Sequence, residues 1–414
     1  MLKKVYSLLA LVLVVTAGAF AQSDKAFIYG TVSTIDGDKY KGQIRWGDEE
    51  AMWEDEFNST KRENPYNRWA NKDMVKTMNF NKSNDEWEFM GLWKDKNCCD
   101  YHWQNHQFVC RFGDIKALEP VGRSEVSLIM KDDSRFNVSG GSNDIGTSIL
   151  VMDQELGQVK IRWDRVNRID FESGPSNLKS KIGEPLYGKV KTLRGEFEGF
   201  IQWDHEECLS IDKLDGNNNN ERFSIEMGNI RKIERYGRGS RVTLKSGREI
   251  DLFGTNDVDD SNRGVVARTQ DFGKVLVDWR DFEYVEFLDK IPSGSFLSYD
   301  DFPKPKRLKG EVITAKGETM KGLIVFDIDE TYDYEILEGD DYNVKYSIPF
   351  RKIASIKPKN YNYSNITLRN GKEVLLGDSQ DVSDRNDGLM IFKSETDEEP
   401  VLIPWEGVKE IKFQ

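Results

Sequence analysis

The chain is organised by short runs in which apolar and polar residues alternate and which break at glycine-containing turns. The clearest examples begin at Tyr29 (YGTVSTIDGDKYKGQIRW), Tyr187 (YGKVKTLRGEFEGFIQW) and Lys309 (KGEVITAKGETMKGLIVF). Each reads glycine, apolar residue, threonine, glycine, glycine, isoleucine and aromatic residue, with the aromatic residue four positions after the last glycine. Because a period of two places alternate side chains on one face of a strand, each stretch predicts a β-hairpin closed at a glycine turn.

A second unit follows each hairpin unit and ends in a recurrent tryptophan motif: VKIRWDRVNRIDF, VLVDWRDFEYVEF and VLIPWEGVKEIKF. The interval from the tryptophan to the final phenylalanine is eight residues in all three, from Trp163 to Phe171, Trp279 to Phe287 and Trp405 to Phe413. Both kinds of unit have the same order of hairpin, middle strand, alternating strand, polar turn and final strand. We therefore predict three tandem repeats, each made of two related halves.

Five short strands in roughly 50 residues, with a one-turn break before the last, resemble a small SH3-like or Sm-like barrel. The resemblance implies an all-β fold of three tandem repeats, each a pair of small five-stranded SH3-like barrels, with one aromatic-rich insertion in the first repeat. It carries no catalytic motif and assigns no site residue. The six barrels are predicted at residues 22–122 (with the insertion at about 50–105), 123–174, 183–237, 238–290, 306–358 and 362–414.

The N-terminus has the pattern of a secretory signal peptide. Lys3 and Lys4 precede an apolar run, and Ala19-Phe20-Ala21 fits a small-residue cleavage site. This predicts a signal peptide at residues 1–21 and an exported chain in the periplasm, on the cell surface or outside the cell. The apolar run is too short for a good membrane span and no later run is longer, so we expect no transmembrane segment after leader removal.

Net charge limits the possible partners. The leader contains two lysines, so the mature chain has 57 basic and 72 acidic residues and a net charge of −15. Such a chain repels phosphate backbones, which argues against nucleic-acid binding, and anionic membrane surfaces are disfavoured for the same reason. We expect a protein or a glycan of the cell envelope as the partner.

The first repeat contains an aromatic insertion. The interval from Trp46 to Phe108 is 62 residues, whereas the corresponding interval is 20 residues in each of the other two repeats. Aromatic rings can stack on sugars while acidic residues accept hydroxyl hydrogen bonds; alternatively, the aromatic residues form a small core of their own. The candidate ligand-binding residues are the five tryptophans of the insertion, Trp53, Trp69, Trp87, Trp93 and Trp103.

The stretch NCCDYHWQNHQFVC, residues 97–110, is the only cluster of soft metal ligands in the sequence. Three interpretations stay open. Cys110 alternates with polar neighbours and can be a buried core residue beside an exposed loop. A disulfide can join Cys98 or Cys99 to Cys110, with Cys99–Cys110 as the candidate pair. Zinc or copper can be bound by a set whose spacing is not a standard structural-zinc spacing: Cys98, Cys99, His102 and His106.

Two acidic loops are candidate calcium sites. GTNDVDDSNRG offers Asp257, Asp259, Asp260 and Asn262, and GDSQDVSDRNDG offers Asp381, Asp384, Asn386 and Asp387. Neither loop has EF-hand spacing, and Asp and Asn also form tight turns by bonding their own backbone. The aspartate that all three repeats share is predicted to form turns rather than to bind a metal: Asp144, Asp257 and Asp381.

No nucleophile elbow, zinc-protease helix motif or phosphate loop is present in the sequence. We therefore predict a non-catalytic exported binding or scaffold protein of the cell envelope that needs no cofactor. One alternative is a glycan-binding protein or weak glycan hydrolase that uses the aromatic insertion. The other is a metal-binding envelope protein, with zinc or calcium as the ion.

Overall fold

The computed structural model describes residues 24–61, 64–69, 107–140 and 144–414. These residues form an all-β fold of thirty strands, most of them five or six residues long, with nine short 3₁₀ helices. The predicted all-β class is confirmed. Among the described residues, no helix is long and apolar enough to span a membrane.

Ten strands lie in each of three consecutive segments, and each of the six predicted barrel ranges contains five of them. The first segment (24–174) contains β1 (Tyr29–Thr34), β2 (Lys39–Trp46), β3 (Glu56–Lys61), β4 (Gln107–Arg111), β5 (Ile115–Pro120), β6 (Glu125–Met130), β7 (Arg135–Ser139), β8 (Ile149–Asp153), β9 (Gly157–Ile161) and β10 (Val166–Phe171). The second segment (183–290) contains β11 (Tyr187–Thr192), β12 (Glu196–Trp203), β13 (Lys213–Asn218), β14 (Glu221–Glu226), β15 (Ile230–Tyr236), β16 (Gly239–Leu244), β17 (Glu249–Leu252), β18 (Val265–Thr269), β19 (Gly273–Val277) and β20 (Phe282–Phe287).

The third segment (306–414) contains β21 (Lys309–Thr314), β22 (Thr319–Phe326), β23 (Ile336–Asp341), β24 (Val344–Pro349), β25 (Ile353–Pro358), β26 (Tyr363–Leu368), β27 (Glu373–Gly377), β28 (Leu389–Phe392), β29 (Val401–Ile403) and β30 (Val408–Phe413). The 3₁₀ helices are Asp24–Ala26, Pro65–Arg68, Phe112–Asp114, Trp163–Arg165, Met227–Asn229, Tyr299–Asp301, Phe350–Lys352, Gln380–Val382 and Trp405–Gly407.

The three predicted hairpins form as the glycine pattern indicates. In the second segment Gly188 lies opposite Gly199 across the β11–β12 pair, and each is pressed against a further strand. A Cβ atom on Gly199 would lie 1.9 Å from the carbonyl oxygen of Arg268. These glycines are therefore required because a neighbouring backbone approaches too closely for any side chain.

By its internal contacts the described chain divides into two compact units. Unit 1 contains the described residues up to Glu56, together with Arg111–Pro120 and Thr147–Pro303. Unit 2 contains the described residues of Phe57–Cys110 and Val121–Gly146, together with Lys304–Gln414.

Unit 1 contains two antiparallel arrays. The first-segment strands pair in the order β9-β8-β2-β1-β10-β5. The second-segment strands pair in the order β19-β18-β12-β11-β20-β15-β16-β17, and β13 and β14 form a separate hairpin. The hairpin β11–β12 therefore takes both of its outer neighbours, β18 and β20, from the other half of its own segment.

Unit 2 has the same arrangement in the third segment. Its strands pair in the order β29-β28-β22-β21-β30-β25-β26-β27-β23-β24. The first-segment strands of this unit follow the order β4-β3-β7-β6. Large antiparallel sheets thus form in both units, but no closed five-stranded barrel is found among the described strands. The physical reason is that strands from the two halves of a segment share hydrogen bonds, so neither half closes on itself.

The core of each segment is centred on the recurrent aromatic residues. The hairpin aromatic meets the tryptophan before the last strand edge to face, with ring centroids 5.9 Å apart for Trp46 and Trp163, 6.2 Å for Trp203 and Trp279, and 5.9 Å for Phe326 and Trp405. This geometry suits the ring quadrupoles and buries large apolar areas. The recurrent aromatics are therefore structural, as the sequence indicates.

Candidate binding cleft

Two of the five candidate tryptophans lie in the described residues, and they have different environments. Trp53 is fully buried in unit 1, 4.6 Å from the ring of Tyr299 and 6.0 Å from that of Phe171 between centroids. It therefore belongs to the core and presents no ring face to solvent. Trp69 lies partly exposed in unit 2. The remaining candidates lie outside the described residues: Trp87, Trp93 and Trp103.

Trp53 belongs to a loop that all three segments share. In each copy a carboxylate accepts two backbone N–H groups: Asp55 from Ala51 and Met52, Asp212 from Cys208 and Leu209, and Glu335 from Thr331 and Tyr332. The strand that follows this loop, β3, ends at Lys61. The extra residues of the first segment therefore lie between β3 and β4, and residues 50–61, predicted as part of the insertion, are ordinary parts of the fold.

A buried lysine fixes the point where the chain leaves β3. The Lys61 ammonium lies 2.6 Å from Glu335 Oε1 and 2.9 Å from Asp329 Oδ1. Burial alone would lower the pKa of Lys61, but the charges of Asp329 and Glu335 outweigh burial and raise it. Lys61 is therefore charged at every physiological pH and holds the start of the insertion on the third segment.

Residues 64–69 form one wall of a cleft. Asn64 precedes the 3₁₀ helix Pro65–Arg68, and its side-chain oxygen accepts the N–H of Tyr66 at 2.9 Å. Asparagine before a proline is a favourable start for a helical turn because the oxygen satisfies a free donor and proline needs none. Asn64 Nδ2 also donates to the carbonyl of Ile328 at 2.6 Å, which anchors this turn to the third segment.

Trp69 is fixed in the cleft by its ring and by its indole N–H. Its ring meets Phe392 edge to face at 5.1 Å, and Tyr66 lies 6.1 Å from both rings. The indole N–H donates to the carbonyl oxygen of Glu398 at 2.8 Å. Both aromatic residues pack on an apolar cluster of the third segment: Val325, Ile328, Met390 and Phe392.

The cleft has a volume of about 270 Å³ and is lined by Pro65, Tyr66, Arg68, Trp69, Arg307, Leu323, Phe392, Ser394, Glu395, Thr396, Asp397 and Glu398. All of these residues belong to unit 2. The volume suits one small ring-shaped ligand or the end of a longer one rather than a folded partner.

Two guanidinium groups lie on the aromatic rings of the cleft. Arg68 stacks over Trp69 at 3.7 Å from the ring centroid, and Arg307 lies 5.8 Å from the ring of Tyr66 and 5.6 Å from that of Tyr332. Arg307 Nε is buried and has no hydrogen-bond acceptor within the described part of the chain. A buried N–H group without an acceptor is unfavourable, and the same burial closes this atom to a ligand.

The opposite wall of the cleft is an acidic loop held in shape by Asp397. Its carboxylate accepts the backbone N–H groups of Lys393 at 2.8 Å and Glu399 at 3.1 Å. These two bonds lower the pKa of Asp397, so the group is an acceptor and not a proton donor near neutral pH. Glu395 and Glu398 are exposed on the same wall.

The strands under the cleft, β22 and β28, have equivalents in unit 1 that lie where the first and second segments meet. There, residues of the first and second segments are buried together in one cluster that includes Met52, Phe200 and Leu209, and Met152 of β8 packs against it. Two ion pairs join these segments: Arg45 to Asp212 at 2.6 Å, and Arg268 to Asp55. The equivalent strands in the third segment, β22 and β28, carry the apolar cluster under Tyr66 and Trp69 instead.

The polar side chains of the candidate calcium loops form hydrogen bonds with the backbone of their own loop or of a nearby strand. Asp257 accepts the N–H of Asp215 at 2.6 Å, as Asp381 accepts that of Glu338 at 2.6 Å and Asp144 that of Asn58 at 2.5 Å. The shared aspartate therefore connects its loop to the strand β3, β13 or β23.

The other members of these loops stabilise turns or face solvent. Asp259 accepts the N–H of Ser261 and Asn262 that of Gly264, while Asp260 is exposed. In the third segment Asn386 accepts the N–H of Gly388, Asp387 donates its own N–H to Asp327, and the N–H of Asp384 donates to the carbonyl of Tyr361. Among the residues that the structure describes, no group of three or more His, Cys, Asp or Glu is placed to hold a metal ion.

Cys110 is the one residue of the cysteine cluster that lies in the described residues. Cys110 is fully buried in β4, as predicted, but its neighbours Val109 and Arg111 are buried too, so the strand does not alternate as expected. The other members lie outside the described residues, so the Cys99–Cys110 bridge and the metal set stay predictions: Cys98, Cys99, His102 and His106. Cys208 is a buried thiol whose pKa burial raises.

Buried carboxylates next to the second hairpin were not predicted from the sequence. Burial, reinforced by the charge of Asp257, raises the pKa of Glu207 to about 9, and burial raises that of Asp257 to about 6. Burial and the charge of Lys274 lower the pKa of His205 to about 4. In the third segment burial raises the pKa of Asp381 to about 8. Glu207 and Asp381 therefore stay protonated in the folded chain near neutral pH, whereas Asp257 does not.

No protein-family model, curated protein or solved structure that was compared with this chain matches it.

Proposed function

We propose that this chain is a non-catalytic binding protein of the cell envelope and that it binds a glycan in the unit 2 cleft. The observation that carries the proposal is the combination of aromatic rings and polar groups there. Tyr66 and Trp69 are partly exposed and offer aromatic ring surface, the guanidinium groups offer donors, and the acidic loop offers acceptors. Sugars require both kinds of contact, because their rings carry C–H faces as well as hydroxyl groups.

A binding role is favoured over hydrolysis by the state of the acids in the cleft. A glycosidase needs one carboxyl group with a raised pKa to protonate the leaving oxygen. The acid that the loop holds most firmly, Asp397, has a lowered pKa. Its role in this proposal is to accept hydrogen bonds from sugar hydroxyl groups.

We also propose that the three segments are repeats of one unit whose halves resemble SH3-like barrels with exchanged strands. The support is the equal order of pairing from β19 to β16 in the second segment and from β29 to β26 in the third. Export to the periplasm, the cell surface or the extracellular space is supported by the signal-peptide pattern of residues 1–21.

A glycan array with the mature chain tests the binding function. We expect the wild-type chain to bind a subset of glycans and Trp69→Ala to lose at least about tenfold in affinity, because it removes ring contact and the bond to Glu398. Tyr361→Ala is the matched control, since Tyr361 is an exposed aromatic residue of unit 2 and does not line the cleft. Absence of glycan binding by the wild-type chain, or equal binding by Trp69→Ala, would refute the proposal.

A further inference from the structure

Two guanidinium groups line the cleft, those of Arg68 and Arg307. Neither makes an ion pair or a side-chain hydrogen bond with the part of the chain that the structure describes. In contrast, Arg45, Lys61 and Arg268 are all paired with carboxylates. The cleft therefore has two arginines whose charge is not neutralised by a described carboxylate.

The stacking of Arg68 leaves its N–H edge available to a ligand, whereas the Nε atom of Arg307 is buried. A guanidinium plane stacked on an aromatic ring uses its face for the ring and keeps its donors in the plane. Arg68 has this arrangement on Trp69, and Arg307 lies beside Tyr66 on the same cleft wall. Guanidinium groups bind carboxylates through two parallel hydrogen bonds, which are among the strongest that proteins make.

The acidic wall argues against a simple anion as the ligand. Glu395, Asp397 and Glu398 line the same cleft and would repel a small ion that offers only negative charge. A neutral sugar would satisfy the acidic wall through its hydroxyl groups but would offer the two guanidinium groups no negative charge. Only a ligand with hydroxyl donors and a carboxylate acceptor is complementary to both walls.

We infer that the cleft selects sugars that carry a carboxylate, the chemistry of a hexuronic acid, with Arg307 and Arg68 binding the carboxylate and the 395–398 loop binding hydroxyl groups. This inference rests on the proposed glycan-binding function and adds the class of sugar to it.

The test compares each uronic-acid oligosaccharide with the same oligosaccharide after its carboxyl groups have been reduced to hydroxymethyl groups. We expect the wild-type chain to bind the acidic form at least about tenfold more tightly in isothermal titration, as for a hydrogen-bonded pair between charged groups. Arg307→Gln should remove this preference and retain binding of the reduced form. Lys359→Gln, an exposed cation of unit 2 outside the cleft, should change neither affinity.

The outcomes separate the inference from the proposed function. Equal binding of the acidic and reduced forms would overturn the carboxylate inference and leave the glycan function intact. Absence of binding to any glycan, neutral or acidic, would overturn both. Tighter binding of a Glu-rich peptide than of any uronic acid would overturn the inference and show that the cleft binds an acidic peptide rather than a sugar. If Arg307→Gln does not fold, Arg68→Gln gives the same comparison, because Arg68 is exposed and makes no backbone contact through its side chain.

Discussion

Substitution of one buried acid, Glu207→Gln, should stabilise unit 1 at high pH and have little effect at low pH. Glu207 Oε2 is buried without a hydrogen-bond partner in the described residues, and the pKa of this carboxyl is about 9 against an ordinary value of 4.5. In the folded chain the group therefore stays protonated near neutral pH, whereas in the unfolded chain it ionises. Folding takes up a proton, so its contribution to stability is fully present below pH 4.5 and is lost as pH rises towards 9.

The size of the effect follows from the interval of pH. Each unit of pH between the two pKa values changes the free energy of unfolding by about 1.4 kcal/mol for one group. From pH 5.5 to pH 8.5 the wild-type chain should therefore lose up to about 4 kcal/mol relative to Glu207→Gln. Glutamine cannot ionise and has nearly the same shape, so the difference between the two proteins isolates this single carboxyl from the other acids.

Urea unfolding followed by tryptophan fluorescence at the two pH values measures this difference. Glu206→Gln is the control, because Glu206 is the adjacent residue, is exposed and pairs with Arg263 at the surface. Its effect should be small and should not change with pH. A difference between wild type and Glu207→Gln that is the same at both pH values would refute the reasoning, since it would mean that Glu207 ionises equally in the folded and unfolded chains.

Two further predictions concern the architecture. Gly199→Ala should destabilise unit 1 by more than about 3 kcal/mol in thermal or urea unfolding, because the new methyl group would lie 1.9 Å from the carbonyl oxygen of Arg268. Gly195→Ala is the control, because Gly195 lies in open space in the same hairpin, and it should change stability by less than about 1 kcal/mol. Asp212→Asn should lower the free energy of unfolding by about 3 kcal/mol, because it leaves Arg45 mostly buried without its carboxylate. Adding Arg45→Met should recover part of that loss. Equal stability of Asp212→Asn and wild type would contradict this prediction.

The local features of this fold could be predicted from the sequence. Glycine spacing and alternation identified the hairpins, and five strands lie in each predicted barrel range. The partner of each hairpin could not be predicted, because alternation reports which face of a strand is buried and not which strand lies beside it. The pairs β12–β18 and β11–β20 join residues that are about 65 and 95 positions apart, and only the tertiary structure selects them.

Only part of the candidate site could be predicted, again because the sequence pattern reports local features and not tertiary neighbours. Trp69 was identified because aromatic residues are concentrated in the extra residues of the first segment, but Trp53 was assigned to the same group although it belongs to a loop common to all segments. Arg307 and Phe392 are more than 200 positions away from Trp69 in the sequence, and no local pattern marks either of them. An alignment of the three segments marks one of these positions, because β28 has Phe392 where β18 has Arg268.

That comparison explains why the cleft lies on the third segment. In unit 1 the equivalent faces pair Arg45 with Asp212 and Arg268 with Asp55, and such buried pairs accept only a partner with matching charges. On β22 and β28 the equivalent positions, Val325 and Phe392, are apolar, and the third segment is joined to the first through the pair of Lys61 and Glu335 instead. Tyr66 and Trp69 pack on this apolar face, and Arg68, Arg307 and the acidic loop line the cleft beside them. The apolar positions of this face and the polar groups beside it are the features on which the proposed glycan site rests.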